Sequence, residues 1–394
     1  MSPRKPPPRS SRPPAAPKRR TTLAPPAPAR APASKPTRSS RPSKVPPKPL
    51  PQNPFFALLG AVQTEVDQRL RGFLETRLDV ARRHGPEVVE MVSAVRDLCL
   101  RGGKRLRPAL LVAGYRAASE RADLEPALDA GVALELLQAY LLIHDDWMDG
   151  DLVRRGGPAV HAHLAKRFRS VHKGHASGIL AGDYASAVAL EALSHVDMKP
   201  SNALPALACF AEMQLDAIAG QQLDLIGGEY DVELAYQLKT GSYTVRGPLR
   251  LGAILASAGP ETLRALDRFA LPIGVAFQLR DDLLSAFGEP KKTGKPLGND
   301  LRAGKRTALL AAGLKLAKGK ELRALKGVVG NTKATDAEMR AALATLESSG
   351  ARAVIEARVT ELSEAGLREL KRGVSRQGAL LLVGATEALT SRRS

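Results

Sequence analysis

An acidic cluster follows an apolar stretch in the first half of the chain, and its spacing suits metal binding. The run 128–143 is almost entirely apolar, and Asp145, Asp146 and Asp149 come directly after it. On a helix, residues four apart share a face with Cβ atoms about 5–6 Å apart. Asp145 and Asp149 would therefore repel one another unless a cation joined them. Carboxylate pairs of this kind suit Mg²⁺, which keeps several waters and takes phosphate oxygens as its other ligands.

A second acidic cluster lies 136 residues further along the chain. Asp281 and Asp282 again stand towards the end of an apolar segment, 271–287. The simple alternative is that each cluster is a solvated helix terminus. However, acidic residues at a C-terminal end oppose the helix dipole, so helix stability alone would not place them there twice. Two such clusters predict one site with acidic walls on both sides.

Basic residues accompany the acids and predict an anionic ligand. They are Lys104, Arg105 and Arg107 within GGKRLRP (102–108), then Arg154, Arg155, Lys239, Lys295 and Lys305. Carboxylates alone would bind only metal, and lysines bind phosphate as point charges, whereas the arginine fork takes two oxygens at once. Acids and bases together indicate a metal-bridged diphosphate.

The elements that position these residues are predicted to be helices. From residue 55 onward, apolar residues return every three or four positions, and alternating β-branched runs are few. The predicted helices are about 55–83, 87–101, 104–120, 124–148, 157–170, 175–195, 202–226, 232–257, 260–287, 304–317, 335–348 and 350–389, the last broken near Gly373. The fold class is all-α: a single large bundle of long helices around a central cavity, with 128–143 and 271–287 in central helices.

The N-terminal tail differs in composition from the rest of the chain. Residues 1–54 hold 13 of the 59 basic residues, 18 of the 29 prolines and no acidic residue. Such a segment cannot bury enough apolar surface to offset backbone ordering, so we expect a disordered basic tail at 1–54 and one domain at 55–394. The tail would be attracted to anionic surfaces, with no specific nucleic-acid recognition.

The remaining composition predicts a cytoplasmic protein. Cys99 and Cys209 both lie in apolar surroundings, which argues against a disulfide framework and suits a reducing compartment. No run of 18 uncharged apolar residues occurs, and the N-terminus lacks a hydrophobic signal segment. Neither a membrane span nor export is therefore expected.

Together the motifs resemble those of the trans-type polyprenyl diphosphate synthases, the family that includes farnesyl and geranylgeranyl diphosphate synthases. The resemblance covers about 60–390. The matching pieces, in family order, are GGKRLRP (102–108), ELLQAYLLIHDDWMD (135–149), RRG (154–156), AGD (181–183), GQQLDL (221–226), KTGSYT (239–244), FQLRDD (277–282) and GKPLGNDLRAGKRT (294–307). A single DDxxD arises by chance in acidic helices, but eight ordered pieces leave little room for coincidence.

The resemblance implies a role for each matching residue. Asp145, Asp149 and Asp281 would hold Mg²⁺, three ions per active site, with Asp146 and Asp282 in support. The allylic diphosphate would meet Arg154, Lys239, Lys295, Lys305, Thr240 and Gln278. The residues that match the isopentenyl diphosphate site are Gly103, Lys104, Arg107, Gln138 and Arg155. The implied reaction is a 1′-4 condensation of the two diphosphates, by a protein that is usually a homodimer.

Product length and one departure from the family pattern complete the expectations. Tyr140, with Leu141 beside it, lies five residues before Asp145 and would block a growing chain, which favours a C20 product over C15. Ser285 stands where many members have a third Asp, which leaves open a catalytically weak partner subunit. A terpene cyclase of the same fold is a further alternative, although it would lack the second diphosphate site.

Overall fold

The protein is described by a computed structural model covering residues 53–227, 230–288 and 298–391. Within these ranges the chain is helical apart from one short two-stranded ribbon, which confirms the all-α prediction. Residues 1–52 of the predicted tail and Lys295 lie outside the described residues, so the expectations for them, and the domain boundaries, stay predictions, although Asn53 and Pro54 already belong to the start of the first helix.

The first helices carry the first acidic cluster and the ribbon that follows it. They are α1 (Pro54–Ala81), α2 (Pro86–Leu100), α3 (Leu106–Ala118) and α4 (Glu125–Asp149), followed by antiparallel strands β1 (Val153–Arg154) and β2 (Gly157–Pro158). Proline opens α1 and α2, where its missing N–H costs no hydrogen bond. At the end of α4, Gly150 adopts φ +69°, a left-handed conformation that releases the chain towards the ribbon.

The middle of the chain supplies the second wall of the site. It comprises α5 (Val160–Phe168), α6 (Val171–Ser194), α7 (Pro200–Ile226), α8 (Val232–Tyr236), a π-helical segment (Gln237–Arg246), α9 (Gly247–Leu255) and α10 (Pro260–Phe287). The last part comprises α11 (Asn299–Arg302), α12 (Ala308–Leu316), α13 (Gly319–Val328), α14 (Asp336–Ser348), α15 (Ala351–Arg368), a 3₁₀ turn (Glu369–Lys371) and α16 (Arg376–Thr390).

Helix α10 joins two hydrophobic cores. Phe269, Ile273 and Phe277 belong to the main core, which α1 to α7, α9 and α16 share. Leu279 and Leu283 belong to a second core built with α12 to α15. The second acidic cluster therefore lies on a helix that is held from both sides.

Helix α4 is also central, as its apolar sequence predicts. Among the described helices it alone is long and apolar enough to cross a membrane, but 72% of its most apolar 18-residue stretch is buried inside the protein. Its main neighbours are α3 and α6. The apolar surface of α4 is thus used by the protein's own core.

Several predicted boundaries are wrong for local reasons. The helix expected at 304–317 begins only at Ala308, because Thr307 caps it by accepting a hydrogen bond from Leu310 N at 3.1 Å. The ribbon at 153–158, the π-helical segment and α13 were not predicted from the sequence. The break near Gly373 is confirmed, since this glycine adopts φ +82° between two helices.

Candidate active site

The aspartates at the end of α4 are held by cations from distant parts of the chain. Lys305 Nζ donates to Asp149 Oδ2 at 2.8 Å. Asp145 lies between Lys239 Nζ, 3.6 Å from its Oδ1, and Arg154 Nη2, 3.8 Å from its Oδ2. Burial opposes the charge of Lys305, but the hydrogen bond to Asp149 outweighs it and raises the pKa of Lys305. This end of α4 is therefore a charge-dense pocket rather than a solvated terminus.

Asp146 points away from that pocket and fixes the ribbon. Its side chain is buried and accepts hydrogen bonds from Arg154 Nε, at 2.6 Å, and from Arg154 Nη2. Burial raises the pKa of Asp146, although the bonds to Arg154 act against the shift. Asp146 thereby holds Arg154 where it can face both Asp145 and a ligand.

Lys239 reaches the site from the π-helical segment. Its ammonium donates to Asp224 of α7 and lies near Asp145. Burial alone would lower the pKa of Lys239, but the carboxylates of Asp145 and Asp224 outweigh it and raise the pKa. A side chain at Gly220 would lie 2.2 Å from the Lys239 backbone nitrogen, so this glycine permits the close approach of α7.

Asp282 is the hub of a buried hydrogen-bond network. Tyr236 donates its hydroxyl hydrogen to Asp282, Gln278 Nε2 donates at 3.2 Å, and Thr240 Oγ1 donates to Gln278 Oε1 at 2.9 Å. The Tyr236 hydroxyl also accepts from Ala308 N at 2.8 Å, the first residue of α12. Burial raises the pKa of Asp282 to about 8, despite the hydrogen bonds from Tyr236 and Gln278.

Two cavities meet at the Thr240–Gln278 pair. The first, about 130 Å³, is lined by Asp224, Tyr230, Ala235, Tyr236, Lys239, Thr240, Gln278, Asp282, Asp300, Lys305, Arg306 and Thr307. The second, about 320 Å³, is lined by Gly103, Lys104, Arg105, Leu106, Arg107, Glu135, Gln138, Arg155, Thr240, Tyr243, Phe277, Gln278 and Asp281. Asp281 thus faces the second cavity, whereas its neighbour Asp282 faces the first.

The second cavity is strongly cationic. Arg107 Nη2 donates to Thr244 Oγ1 at 2.8 Å, and its guanidinium lies 4.3 Å from the centre of the Tyr243 ring. Burial lowers the pKa of Arg155, and repulsion from Arg105 and Arg107 lowers it further, although Glu135 opposes the shift. Clustered cations of this kind are stable when an anion lies among them.

Arg105 has a different role from its neighbours in GGKRLRP. Its side chain is buried; Nε donates to Asp67 Oδ1 at 2.6 Å, Nη2 donates to Cys99 O at 2.8 Å, and Nη1 bonds Glu135. A buried arginine with two carboxylates anchors α3 to α1 and α4. The sequence did not distinguish Arg105 from Arg107.

The predicted chain-length residues lie one turn deeper in α4. Tyr140 and Leu141 are half-buried against the main core, and the Tyr140 ring lies edge-on to His144 with centroids 5.1 Å apart. Leu141 shares the helix face of Asp145 because it precedes it by four residues. His144 in turn lies against α6, where its Nε2 is 3.0 Å from Ile179 O.

The aspartate carboxylates fit a metal ion whose remaining ligands are water and phosphate oxygens. Among the described residues, no three His, Cys, Asp or Glu side chains are close enough to hold a metal ion. Asp145 Oδ1, however, is buried and has no hydrogen-bond partner among those residues. Single carboxylates with unused oxygens suit Mg²⁺, which completes its shell with water and phosphate oxygens.

Comparison with known proteins decides the family. Residues 89–346 match the sequence profile described as Polyprenyl synthetase. This chain belongs to the polyprenyl synthetase family. The match confirms the enzyme class expected from the motifs, a short-chain trans-prenyltransferase.

Relatives and solved structures agree with this family. The short chain isoprenyl diphosphate synthase of Methanocaldococcus jannaschii is 35% identical over 66% of this chain and 77% of its own. The geranylfarnesyl diphosphate synthase of Aeropyrum pernix is 34% identical, over 65% and 79%. Among structures, a geranylgeranyl pyrophosphate synthase of Corynebacterium glutamicum, complexed with isoprenyl diphosphate and magnesium, aligns with a TM-score of 0.79. It is 34% identical and covers 84% of this chain and 99% of its own.

Proposed function

We propose that this protein is a Mg²⁺-dependent prenyltransferase that condenses an allylic diphosphate with isopentenyl diphosphate, with a C20 main product. The observation that carries the proposal is the pair of charged cavities that adjoin at Thr240 and Gln278. Two diphosphate sites with a shared wall are what a condensation of two diphosphates requires, because the reacting carbons must meet.

The allylic diphosphate is assigned to the first cavity. Lys239 and Lys305 line it, and Arg154 lies 3.8 Å from Asp145, which Lys239 also approaches, so we assign all three cations to the leaving group. Asp145 and Asp149 would hold Mg²⁺ from one side and Asp281, which lines the adjoining second cavity, from the other, and the ions would supply further positive charge to the departing diphosphate. Asp282 lines the same cavity and supports it by accepting hydrogen bonds from Tyr236 and Gln278.

Isopentenyl diphosphate is assigned to the second cavity. Lys104, Arg107 and Arg155 would bind its diphosphate, with Gln138 and the Gly103 backbone completing the set. Gly103 adopts φ +154°, and a side chain there would lie 3.3 Å from Arg105 Nη1. A residue other than glycine would therefore strain the backbone and press on Arg105.

The proposed reaction proceeds in three steps: ionisation of the allylic substrate, attack by isopentenyl diphosphate and loss of a proton. Cations that neutralise charge on the leaving diphosphate favour ionisation of the allylic substrate, and Leu106 and Phe277, which line the second cavity, would help to keep water from the resulting carbocation. The double bond of isopentenyl diphosphate then attacks, and a proton leaves the adjacent carbon. The released diphosphate serves as base, so no histidine is required for the step.

The C20 product is proposed from the position of Tyr140. Its half-buried ring lies one and a half turns before Asp145. We propose that a lengthening chain ends against it. The similarity to a geranylgeranyl pyrophosphate synthase structure supports the same length. The similarity to a geranylfarnesyl diphosphate synthase makes a longer product the competing outcome.

A homodimer is proposed from an apolar stripe on α6 and α7. Exposed side chains recur along these helices at Leu180, Leu190, Leu204, Leu207, Leu215 and Ile218. Exposed apolar side chains in this number favour burial against a partner, and a second copy is the partner expected from the family resemblance. Light scattering of the purified protein measures the mass directly.

One assay tests the reaction. The protein is incubated with labelled isopentenyl diphosphate, Mg²⁺ and each allylic diphosphate in turn, and the products are sized. We expect a C20 product that disappears on chelation of the metal. The same assay compares variants of α4. A change at Asp145 should abolish the product, and Asp129→Asn is its control, because Asp129 lies at the opposite end of α4 and pairs with Arg69 at 2.6 Å. Absence of chain elongation with every starter would refute the proposal and favour the weak-partner alternative left open by Ser285.

A further inference from the structure

The positive charge of the folded part is concentrated in one short stretch. Residues 55–394 carry 46 basic and 40 acidic residues, a net charge of +6. Residues 301–335 alone carry nine basic residues and one acidic residue, Glu321, a net charge of +8. The rest of 55–394 therefore sums to −2. The stretch is an exception within a nearly balanced protein.

Three of these nine basic residues are already used within the protein. Lys305 pairs with Asp149, and Arg302 Nη2 lies 2.9 Å from Asp336 Oδ1. Arg306 lies over the Tyr230 ring. The remaining six are exposed, and none forms an ion pair with a described residue. Five of them, close together in sequence, define what we term the basic patch: Lys315, Lys318, Lys320, Arg323 and Lys326.

The packing of α13 against the second core turns its basic side chains towards solvent. In α13, Leu325 and Val328 are buried in the second core. At about 100° per residue, Lys320, Arg323 and Lys326 span an arc of about 120° on the opposite side of the helix. The 10 residues of α13 are about 15 Å long, so the three cations on this helix lie close together. The one acidic side chain, Glu321, accepts a hydrogen bond from Ser348.

We propose that the basic patch binds the protein to a membrane surface of anionic phospholipid. Solvated helix faces commonly alternate charge sign, and this one does not. The patch favours lipid over nucleic acid because residues 301–335 contain no Phe, Tyr or Trp on which bases could stack. Leu316, 39% exposed beside Lys315, adds apolar area at the edge. The lipid assignment also rests on the proposed function, since a prenyl product partitions into a bilayer.

The contact is expected to be electrostatic and reversible. The apolar side of α13 is occupied by the protein's own core, so the helix cannot insert as free amphipathic helices do. Lysines near an anionic leaflet each strengthen binding about fivefold, and the attraction decays within a Debye length. Binding should therefore weaken steeply with salt.

The test measures partition of the full-length protein onto phosphatidylcholine vesicles with and without phosphatidylglycerol. The patch variant carries Lys320→Gln, Arg323→Gln and Lys326→Gln. The control variant carries Arg71→Gln, Arg83→Gln and Arg121→Gln, three exposed cations that form no ion pair with a described residue. The N-terminal tail is intact in every protein, so its own attraction is common to all.

We expect the patch variant to lose about 100-fold in partition onto anionic vesicles, at about fivefold per charge, and the control to lose less than about threefold. Equal losses in the two variants, or no loss in either, would overturn the proposal. Binding of the same proteins to RNA is measured beside vesicle partition. If the patch variant loses RNA binding but keeps vesicle binding, the proposal is overturned in favour of nucleic acid. Condensation of soluble substrates should be unchanged in the patch variant, and a lower kcat/KM at low salt would instead assign the patch to substrate attraction. If the wild-type protein binds vesicles but does not catalyse the condensation, the proposed function is refuted and the membrane contact stands.

Discussion

Removing the Tyr236 hydroxyl is the most direct test of how the second acidic cluster is held. This group connects three elements, because it donates to Asp282 of α10 and accepts from the N–H of Ala308 in α12. Tyr236→Phe keeps the ring and opens no cavity, so only polar terms change. A buried group left without its hydrogen bond costs about 1–3 kcal/mol. With two such groups we expect the free energy of unfolding to fall by about 3 kcal/mol, and Tm by about 5 °C.

The size of this loss should depend on pH. Asp282 has a pKa of about 8 in the folded protein against an ordinary value of 3.8, so unfolding between these values releases a proton. Its contribution to stability is therefore present below about pH 4 and is lost as the pH rises through 8. Tyr236 stabilises the ionised form, and a hydrogen bond to a charged acceptor is about twice as strong as a neutral one. We expect a loss of about 2 kcal/mol at pH 6 and about 4 kcal/mol at pH 9.

Thermal unfolding followed by circular dichroism at the two pH values measures both effects. Tyr115→Phe is the control: Tyr115 is buried in α3, and its hydroxyl has no hydrogen-bond partner among the described residues, so we expect a change below about 0.5 kcal/mol. A loss at Tyr236 no larger than at Tyr115, or one equal at pH 6 and pH 9, would refute the network.

Three further predictions concern the reaction. Asp145→Ala should lower kcat at least about 1000-fold, because the metal loses a ligand, and excess Mg²⁺ should recover part of it; full activity would contradict the metal assignment. Tyr140→Ala should lengthen the main product in a product-sizing assay, and an unchanged distribution would exclude Tyr140 as the floor of the pocket. Arg155→Met should raise KM for isopentenyl diphosphate about 30-fold with little change in KM for the allylic substrate, and equal effects on the two would contradict separate sites.

Local sequence pattern was sufficient for much of the fold. The apolar stretches 128–143 and 271–287 lie in buried helices, as their composition predicted. Periodicity depends on neighbours three or four residues apart, so a single sequence contains it. The left-handed Gly373 likewise ends a helix for a local reason. Helix α13 was missed because it is short and carries Gly319 and Gly327, which lower its helix propensity, and its stability comes from packing against the second core.

The sequence by itself determined that two acidic clusters and a set of cations must share an anion site, since charge sign and helical spacing are properties of the chain. Only the tertiary structure decided which residue meets which. It separates neighbouring residues. Asp281 lines the second cavity and Asp282 the first. Arg105 is tied to carboxylates of α1 and α4, whereas Arg107 bonds Thr244. It pairs Asp149 with Lys305, 156 residues away. Such pairings follow from how helices pack, and packing energy depends on contacts between distant segments that no local pattern encodes.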